Sequence, residues 1–451
     1  MAKKKVATPS LPAALRLKVV YRRVDDLTAY ERNARTHSTK QINQIAASIG
    51  RFGFVNPVLV DGTGTLIAGH GRVQAARQIG MKEVPTVALE HLSDAERRAL
   101  VIADNRLAEL AGWDEDVLRL ELSDLETLEL DFELEVTGFD TGDLDKLLAD
   151  PGDAPDSDDR IPPTQDRPPI TKLGNIWQIG DHRLICGDAR DPIVVERLME
   201  GETADLAFMD PPYNVPIDRH VCGSGNIKHR EFAMASGEMS IGEFTQFLSD
   251  TFALAAGHSR DGAIHFICMD WRHMGEVLNA GGHIYSELKN LAVWAKTNGG
   301  MGTFYRSQHE LIFIFKVGTA AHTNTFGLGN KGRYRTNVWT YAGVNSFGGN
   351  QKDLALHPTV KPVALVADAI KDVSRRSDIV LDLFGGSGST LIAAARSRRR
   401  ARLVEIDPSY CDVIIRRARD VLGLIAVDAE TGETFGAIEA ASEALHQEDV
   451  A

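Results

Sequence analysis

The stretch DIVLDLFGGSGSTLIAAARSRRRARLVEID, residues 378 to 407, constrains the fold more than any other part of the chain. A strand-length apolar run ends in a glycine cluster, a helical stretch follows, and a second apolar run closes on Glu405 and Asp407. Gly385, Gly386 and Gly388 let the backbone turn sharply and pass close to a ligand. An acid about twenty residues further on, at the end of the next strand, can accept hydrogen bonds from two ribose hydroxyls, and Glu405 stands there. The phosphate-binding GxGxxG pattern is not completed, and no P-loop lysine follows. The unit therefore suits a nucleoside cofactor that lacks a pyrophosphate.

Around this unit, from about residue 170 to 425, strand-like runs alternate with helical ones: HRLICGDA, ADLAFMDPPY, GAIHFICMD, LAVWAK and HELIFIFKVG. Such alternation predicts an α/β fold, a Rossmann-like sheet with helices on both faces. Within LAFMDPPYNV, residues 206 to 215, Asp210 sits at the carboxyl end of a strand, where open α/β sheets place their ligands. Asp210 and the carbonyls beside Pro211 and Pro212 are hydrogen-bond acceptors, and Tyr213 offers a flat face. Together they suit a planar ring bearing an exocyclic amine, with stacking worth roughly 1–3 kcal/mol. An N-cap aspartate in a proline-stiffened turn accounts for the same residues without any ligand.

The remaining segments differ in character. Residues 1–15 read as a flexible basic tail, and 16–150 as a smaller α+β domain that turns helical and acidic after Ser93. The stretch 151–169, with six prolines and many aspartates, reads as an extended linker. Residues 426–451 read as a polar tail. Between Glu109 and Asp159 there are 19 acidic residues against Arg119 and Lys146, a local net of −17 in a chain of net −13, so the remainder carries +4. A nucleic-acid partner is thus compatible with the overall charge. The four cysteines, Cys186, Cys222, Cys268 and Cys411, have no ligand-like spacing, so no metal site is expected, and they fit a reducing, cytoplasmic setting. No apolar run reaches transmembrane length.

These motifs resemble those of the amino-methylating, S-adenosylmethionine-dependent DNA methyltransferases. DPPY resembles their catalytic motif, Asp210, Pro211, Pro212 and Tyr213. FGGSG resembles their cofactor loop, which here follows the catalytic motif by about 170 residues, the order of the β group. The resemblance implies S-adenosyl-L-methionine as cofactor, held by Asp188, His357, Thr359, Lys361, Pro362, Asp382, Phe384, Gly385, Gly386, Ser387, Gly388, Ser389, Glu405 and Asp407. In this reading Asp188 meets the adenine, Thr359 and Lys361 the methionine carboxylate, and Phe384 packs near the sulfonium. It further implies double-stranded DNA as substrate, a flipped base, adenine N6 as target with cytosine N4 as the alternative, and a homodimer. Lys228, Arg230, Lys331, Arg333 and Arg335, interleaved with Tyr334, Trp339 and Tyr341, are the expected DNA contacts within a target-recognition part spanning 215–356. The setting expected is a solitary methylase, from a phage or prophage, rather than half of a single-chain restriction enzyme.

The segment ERNARTHSTKQINQIAASIGRFGFVNPVLVDGTGTLIAGHGRVQAARQIGMKEVP is similar to the fold shared by ParB partition proteins and sulfiredoxin. That likeness places an anion site, for a nucleotide phosphate, at Gly69, His70, Gly71 and Arg72, although partition proteins typically carry Gly-Glu-Arg-Arg there. A DNA-binding ParB-like protein with an inactive methylase domain is the reading from a different class; it would bind DNA without methyl transfer.

Overall fold

The computed structural model describes residues 17–128, 130–148, 158–163, 168–215, 237–297, 299, 304–325, 335–342 and 360–450. The basic stretch 1–15, much of 151–169 and parts of 215–356 therefore lie outside the described residues. The chain divides into two compact units, Met1–Ala149 and Asp150–Ala451.

In the first unit, strands β1 (Val19–Arg23), β2 (Val58–Val60), β3 (Leu66–Ala68) and β4 (Glu83–Ala88) form a mixed sheet in the order β1-β4-β2-β3. Val58, Val60, Leu66 and Val84 bury their side chains against Val73 and Ala76 of the helix His70–Gln78. The helix Thr39–Phe52 turns Ile42, Ala46 and Ile49 inward, as their spacing demands; Ser38 caps its start and Gly53, at φ 81°, ends it. Some of the acidic residues sit at helix starts, where carboxylates complement the backbone N–H groups. Ser93 and Glu96 form one capping box, Asp140 and Asp143 another, and Asp114 caps the helix Glu115–Thr127.

Among the described residues, the second unit is built on a sheet of ten strands. They are β5 (Ile176–Ile179), β6 (His182–Cys186), β7 (Ala204–Met209), β8 (Ser259–Met269), β9 (Glu287–Ala295), β10 (His309–Lys316), β11 (Val338–Thr340), β12 (Ile379–Asp382), β13 (Arg400–Glu405) and β14 (Ala426–Asp428). Their order is β11-β9-β10-β8-β7-β12-β13-β6-β5-β14. The central run β8-β7-β12-β13-β6 is parallel. Alternate residues of each strand feed two cores: Leu206 and Phe208 pack on one face with the helices Val363–Val373, Ser389–Arg396 and Pro408–Leu422. Ala207 and Met209 pack on the other with Pro192–Met199, Ile241–Gly257 and Met274–Ile284. From β12 the chain crosses to β13 on one side; from β7 it crosses to β8 on the other. The crossovers diverge between β7 and β12, and a crevice opens at their carboxyl ends.

Two expectations are corrected. Among the described residues, the expected tail 426–451 is not loose. Residues 426–428 are the edge strand β14, antiparallel to β5, and Phe435, 3% exposed, meets Trp177 edge-to-face at 5.4 Å. One aromatic with a cavity to fill outweighs the polar average around it; burying such a side chain stabilises by about 1.5–3 kcal/mol. The described part of the presumed linker is also anchored. Asp158 makes a two-point ion pair with Arg396 at 3.0 and 2.7 Å, and Asp159 accepts the Val363 N–H at 2.8 Å.

Candidate active site

After β12 the chain passes through Leu383 to Gly388 into the helix Ser389–Arg396. Gly386 and Gly388 have φ of 52° and 84°, a left-handed backbone that glycine adopts without strain. Asp382 ties the turn together, accepting from the Phe384 N–H at 2.9 Å and from the Thr390 hydroxyl at 2.6 Å. Glu405, at the end of β13, accepts from the N–H groups of Gly386 (2.7 Å) and Asp407 (2.8 Å). Arg417 supports the turn from the neighbouring helix, donating to the Ser387 carbonyl at 2.9 Å and to the carbonyl of Asp158 at 2.8 Å. Burial raises both turn carboxyls, Asp382 and Glu405, to about 7.

Beside this turn, β7 delivers Asp210, Pro211, Pro212 and Tyr213. The Tyr213 hydroxyl lies 2.8 Å from Asp210 Oδ1. Lys361, 4% exposed, donates to Asp210 Oδ2 at 2.6 Å and to the Tyr213 hydroxyl at 3.0 Å. The same ammonium is 3.0 Å from Glu310, which is also within 3.0 Å of the Tyr213 hydroxyl and pairs with Lys296. Burial by itself would depress the Lys361 ammonium, but Asp210 and Glu310 outweigh it and hold the group firmly protonated. Burial also works against the Glu310 carboxylate, yet the two lysines bring it down to about 2. Asp210 has the opposite balance: burial and Glu310 prevail over Lys361 and raise it.

A cavity of ≈180 Å³ joins the two motifs. It is lined by Asp210, Pro211, Pro212, Tyr213 and Lys361 on one side and by Asp382, Phe384 to Ser387, Ser389, Glu405 and Asp407 on the other. Asp188 lines it from the end of β6, though both its oxygens also hold Arg190, at 2.7 to 3.1 Å. Phe384 leans on Phe247, ring centroids 6.0 Å apart. Gly388 and Pro362 precede the helices Ser389–Arg396 and Val363–Val373, and Asp407 caps Pro408–Leu422 through the Ser409 N–H. Lys361, expected at a cofactor carboxylate, has its ammonium in the Asp210 cluster. His357 and Thr359 fall outside the described residues. Among those residues, no three His, Cys, Asp or Glu side chains converge to hold a metal ion.

Sequence reasoning missed Glu310 and Lys296. The available signal was a carboxylate opening HELIFIFK, a strand otherwise almost wholly apolar, where a buried acid needs a partner. It also misassigned Arg335. That side chain is 16% exposed, pairs with Asp372 at 3.0 Å, donates to the Tyr341 hydroxyl at 2.9 Å and lies over Trp339 at 4.8 Å. Trp339, 5% exposed, and Tyr341 pack against the core. Asp372 and Asp368 thus pair with this arginine within the fold. Lys228, Arg230, Lys331, Arg333 and Tyr334 lie outside the described residues.

In the first unit, Gly69 to Arg72 begin the helix His70–Gln78 at the wall of a second cavity, ≈240 Å³. Gly69 has φ 95°, and a Cβ there would meet Val58 at 2.6 Å. Arg72 donates to the Asn56 carbonyl at 2.7 Å, and burial lowers the His70 imidazole.

The profile of a DNA methylase family, the N6/N4 methylases, matches residues 204–416, from β7 through the cofactor-like turn. Residues 204–416 thus carry a domain of that family. A ParB N-terminal domain matches residues 17–106 and a ParB-methyltransferase HTH domain matches 116–173, so this DNA methylase carries a ParB-like N-terminal part. The HTH match covers helices that composition alone marked only as acidic. The ParB-like nuclease domain-containing protein YnaK of Escherichia coli K12 is 49% identical over 83 residues, 18% of this chain and 95% of its own length. The type II methyltransferase M.HpaI of Haemophilus parainfluenzae is 26% identical over 255 residues, covering 52% of this chain and 74% of the relative. Among solved structures, the PvuII DNA methyltransferase (cytosine-N4-specific) is 14% identical with a TM-score of 0.38, over 57% of this chain and 96% of that one. An M1.HpyAVI–SAM complex is 17% identical with a TM-score of 0.37, over 52% and 98%. No helix among the described residues is long and apolar enough to cross a membrane.

Proposed function

We propose that this DNA methylase transfers a methyl group from S-adenosyl-L-methionine to the exocyclic N6 of adenine in duplex DNA, with the base flipped out of the helix. The observation that carries this reading is the single cavity bounded by the Asp210–Tyr213 segment and the Phe384–Ser389 turn. It puts acceptors for an amine beside a turn that suits a nucleoside. The chemistry of the lining fits the cofactor. Glu405 uses its oxygens on the Gly386 and Asp407 N–H groups, and each oxygen retains a lone pair for a ribose hydroxyl. Bound there, S-adenosylmethionine supplies an electrophilic methyl group. Asp210 and the Pro211 carbonyl accept the amine hydrogens and draw the nitrogen lone pair out of conjugation with the ring. The anchored Tyr213 hydroxyl fixes the plane on which the base stacks. Such oriented acceptors need no reorganisation as charge develops.

Adenine is favoured over cytosine N4 because Asp-Pro-Pro-Tyr is the commoner form in adenine enzymes. Asp210→Ala tests the assignment: transfer to DNA should be lost while calorimetric binding of S-adenosylmethionine persists. Near-normal transfer by this variant contradicts it. For the first unit we propose an anionic, nucleotide-like ligand at Gly69 to Arg72, supported by the helix start and by Arg35 and Arg72 on the cavity wall. Calorimetry of the whole chain with nucleoside triphosphates should give saturable binding that Arg72→Ala abolishes; an Arg72→Ala variant that binds like wild type contradicts it.

A further inference from the structure

One buried charged group has no part in that scheme. Glu310 rises from β10, 8% exposed, into the back of the Asp210 cluster. Charges of opposite sign alternate along Lys296, Glu310, Lys361 and Asp210, in contact at every step. The Tyr213 hydroxyl reaches both carboxylates, at 2.8 Å from Asp210 and 3.0 Å from Glu310.

The arrangement bears on what Asp210 can do. A buried ammonium with Asp210 as its sole counter-charge would settle on that carboxylate and compete with the incoming amine for its lone pairs. Two carboxylates sharing the ammonium weaken that competition. We propose that Glu310 is a positioning residue for methyl transfer: it divides the charge of Lys361 between two carboxylates, keeps Asp210 available to the substrate amine, and fixes the ring of Tyr213 through its hydroxyl. The inference rests on the methyltransferase reading above. Lys296, with its side chain 30% exposed, anchors the outer end of the network.

Glu310→Gln in the full-length protein tests it, since the amide keeps the size and can still accept from Lys361 but carries no charge. Asp210 is faced by Lys361, Tyr213, Glu310, Cys268 on β8 and Asp382 on β12, and only one of these charges changes. The expected result is a fall in kcat of roughly 10- to 100-fold with the Kd of S-adenosylmethionine unchanged. The acid limb of the kcat profile should move to lower pH, because Asp210 then meets Lys361 without an opposing charge. Lys296→Gln covers the case in which Glu310→Gln does not fold. It draws Glu310 closer to Lys361 and removes a positive charge, so its acid limb should move to higher pH. Wild-type kcat with an unmoved acid limb in either folded variant overturns the proposal, as does a loss of activity that only tracks lost cofactor binding. Absence of methyl transfer by the wild-type enzyme overturns the underlying reading instead.

Discussion

At Asp210 the protein holds a carboxylate that is partly buried, raised by burial, and still bonded to a lysine and a tyrosine. Asp210→Asn should lower kcat by about 10²–10³-fold, the loss typical of removing one oriented polar group, with little change in cofactor affinity; single-turnover kinetics check it. Glu405 yields a pH prediction. Its folded value of about 7 lies above the ordinary carboxyl range, so between those limits the folded state binds more protons than the unfolded one. Its contribution therefore falls as pH rises from about 4.5 to 7. Glu405→Gln lacks this slope, so its melting temperature relative to wild type should be higher at pH 8 than at pH 5 while cofactor affinity drops. An offset that does not vary with pH contradicts this. Asp210, Tyr213, Asp382 and Glu405 were legible in the sequence because each belongs to a contiguous motif. Glu310 and Lys296 were not, because their partner Lys361 arrives from a distant part of the chain.

The elements of the central sheet were legible for the same local reason. Parallel strands buried on both faces read as short, almost unbroken apolar runs. The outer strands were harder: β5, β11 and β14 have three or four residues each, and polar neighbours dilute their pattern. Phe435→Ala tests how firmly the last edge is held. It should destabilise the protein by about 3–5 kcal/mol, seen as a lower denaturant midpoint, while leaving kcat at the wild-type value because the residue is remote from the cavity lining. Alternating Arg, Trp and Tyr at 335–341 misled for the opposite reason. The interleaving that marks a nucleic-acid surface also marks a buried arginine stacked on tryptophan, and burial decides between them.

Across the whole molecule, charge is unevenly divided. Residues 109–159 carry a net charge of −17, more than the whole chain's −13, some of it at helix starts of the ParB-like part, while the remainder is mildly basic. Methylation should weaken as salt rises, with a linear dependence of log affinity for DNA on log salt concentration; a flat dependence argues against phosphate contacts. The experiment that bears most directly on the central assignment is nucleoside mass spectrometry of unmethylated, sequence-diverse duplex DNA after incubation with the protein and S-adenosyl-L-methionine. The expected product is N6-methyladenine, forming far more slowly when Asp210→Asn replaces the wild type. N4-methylcytosine in its place, or no methylated base at all, contradicts the assignment to adenine.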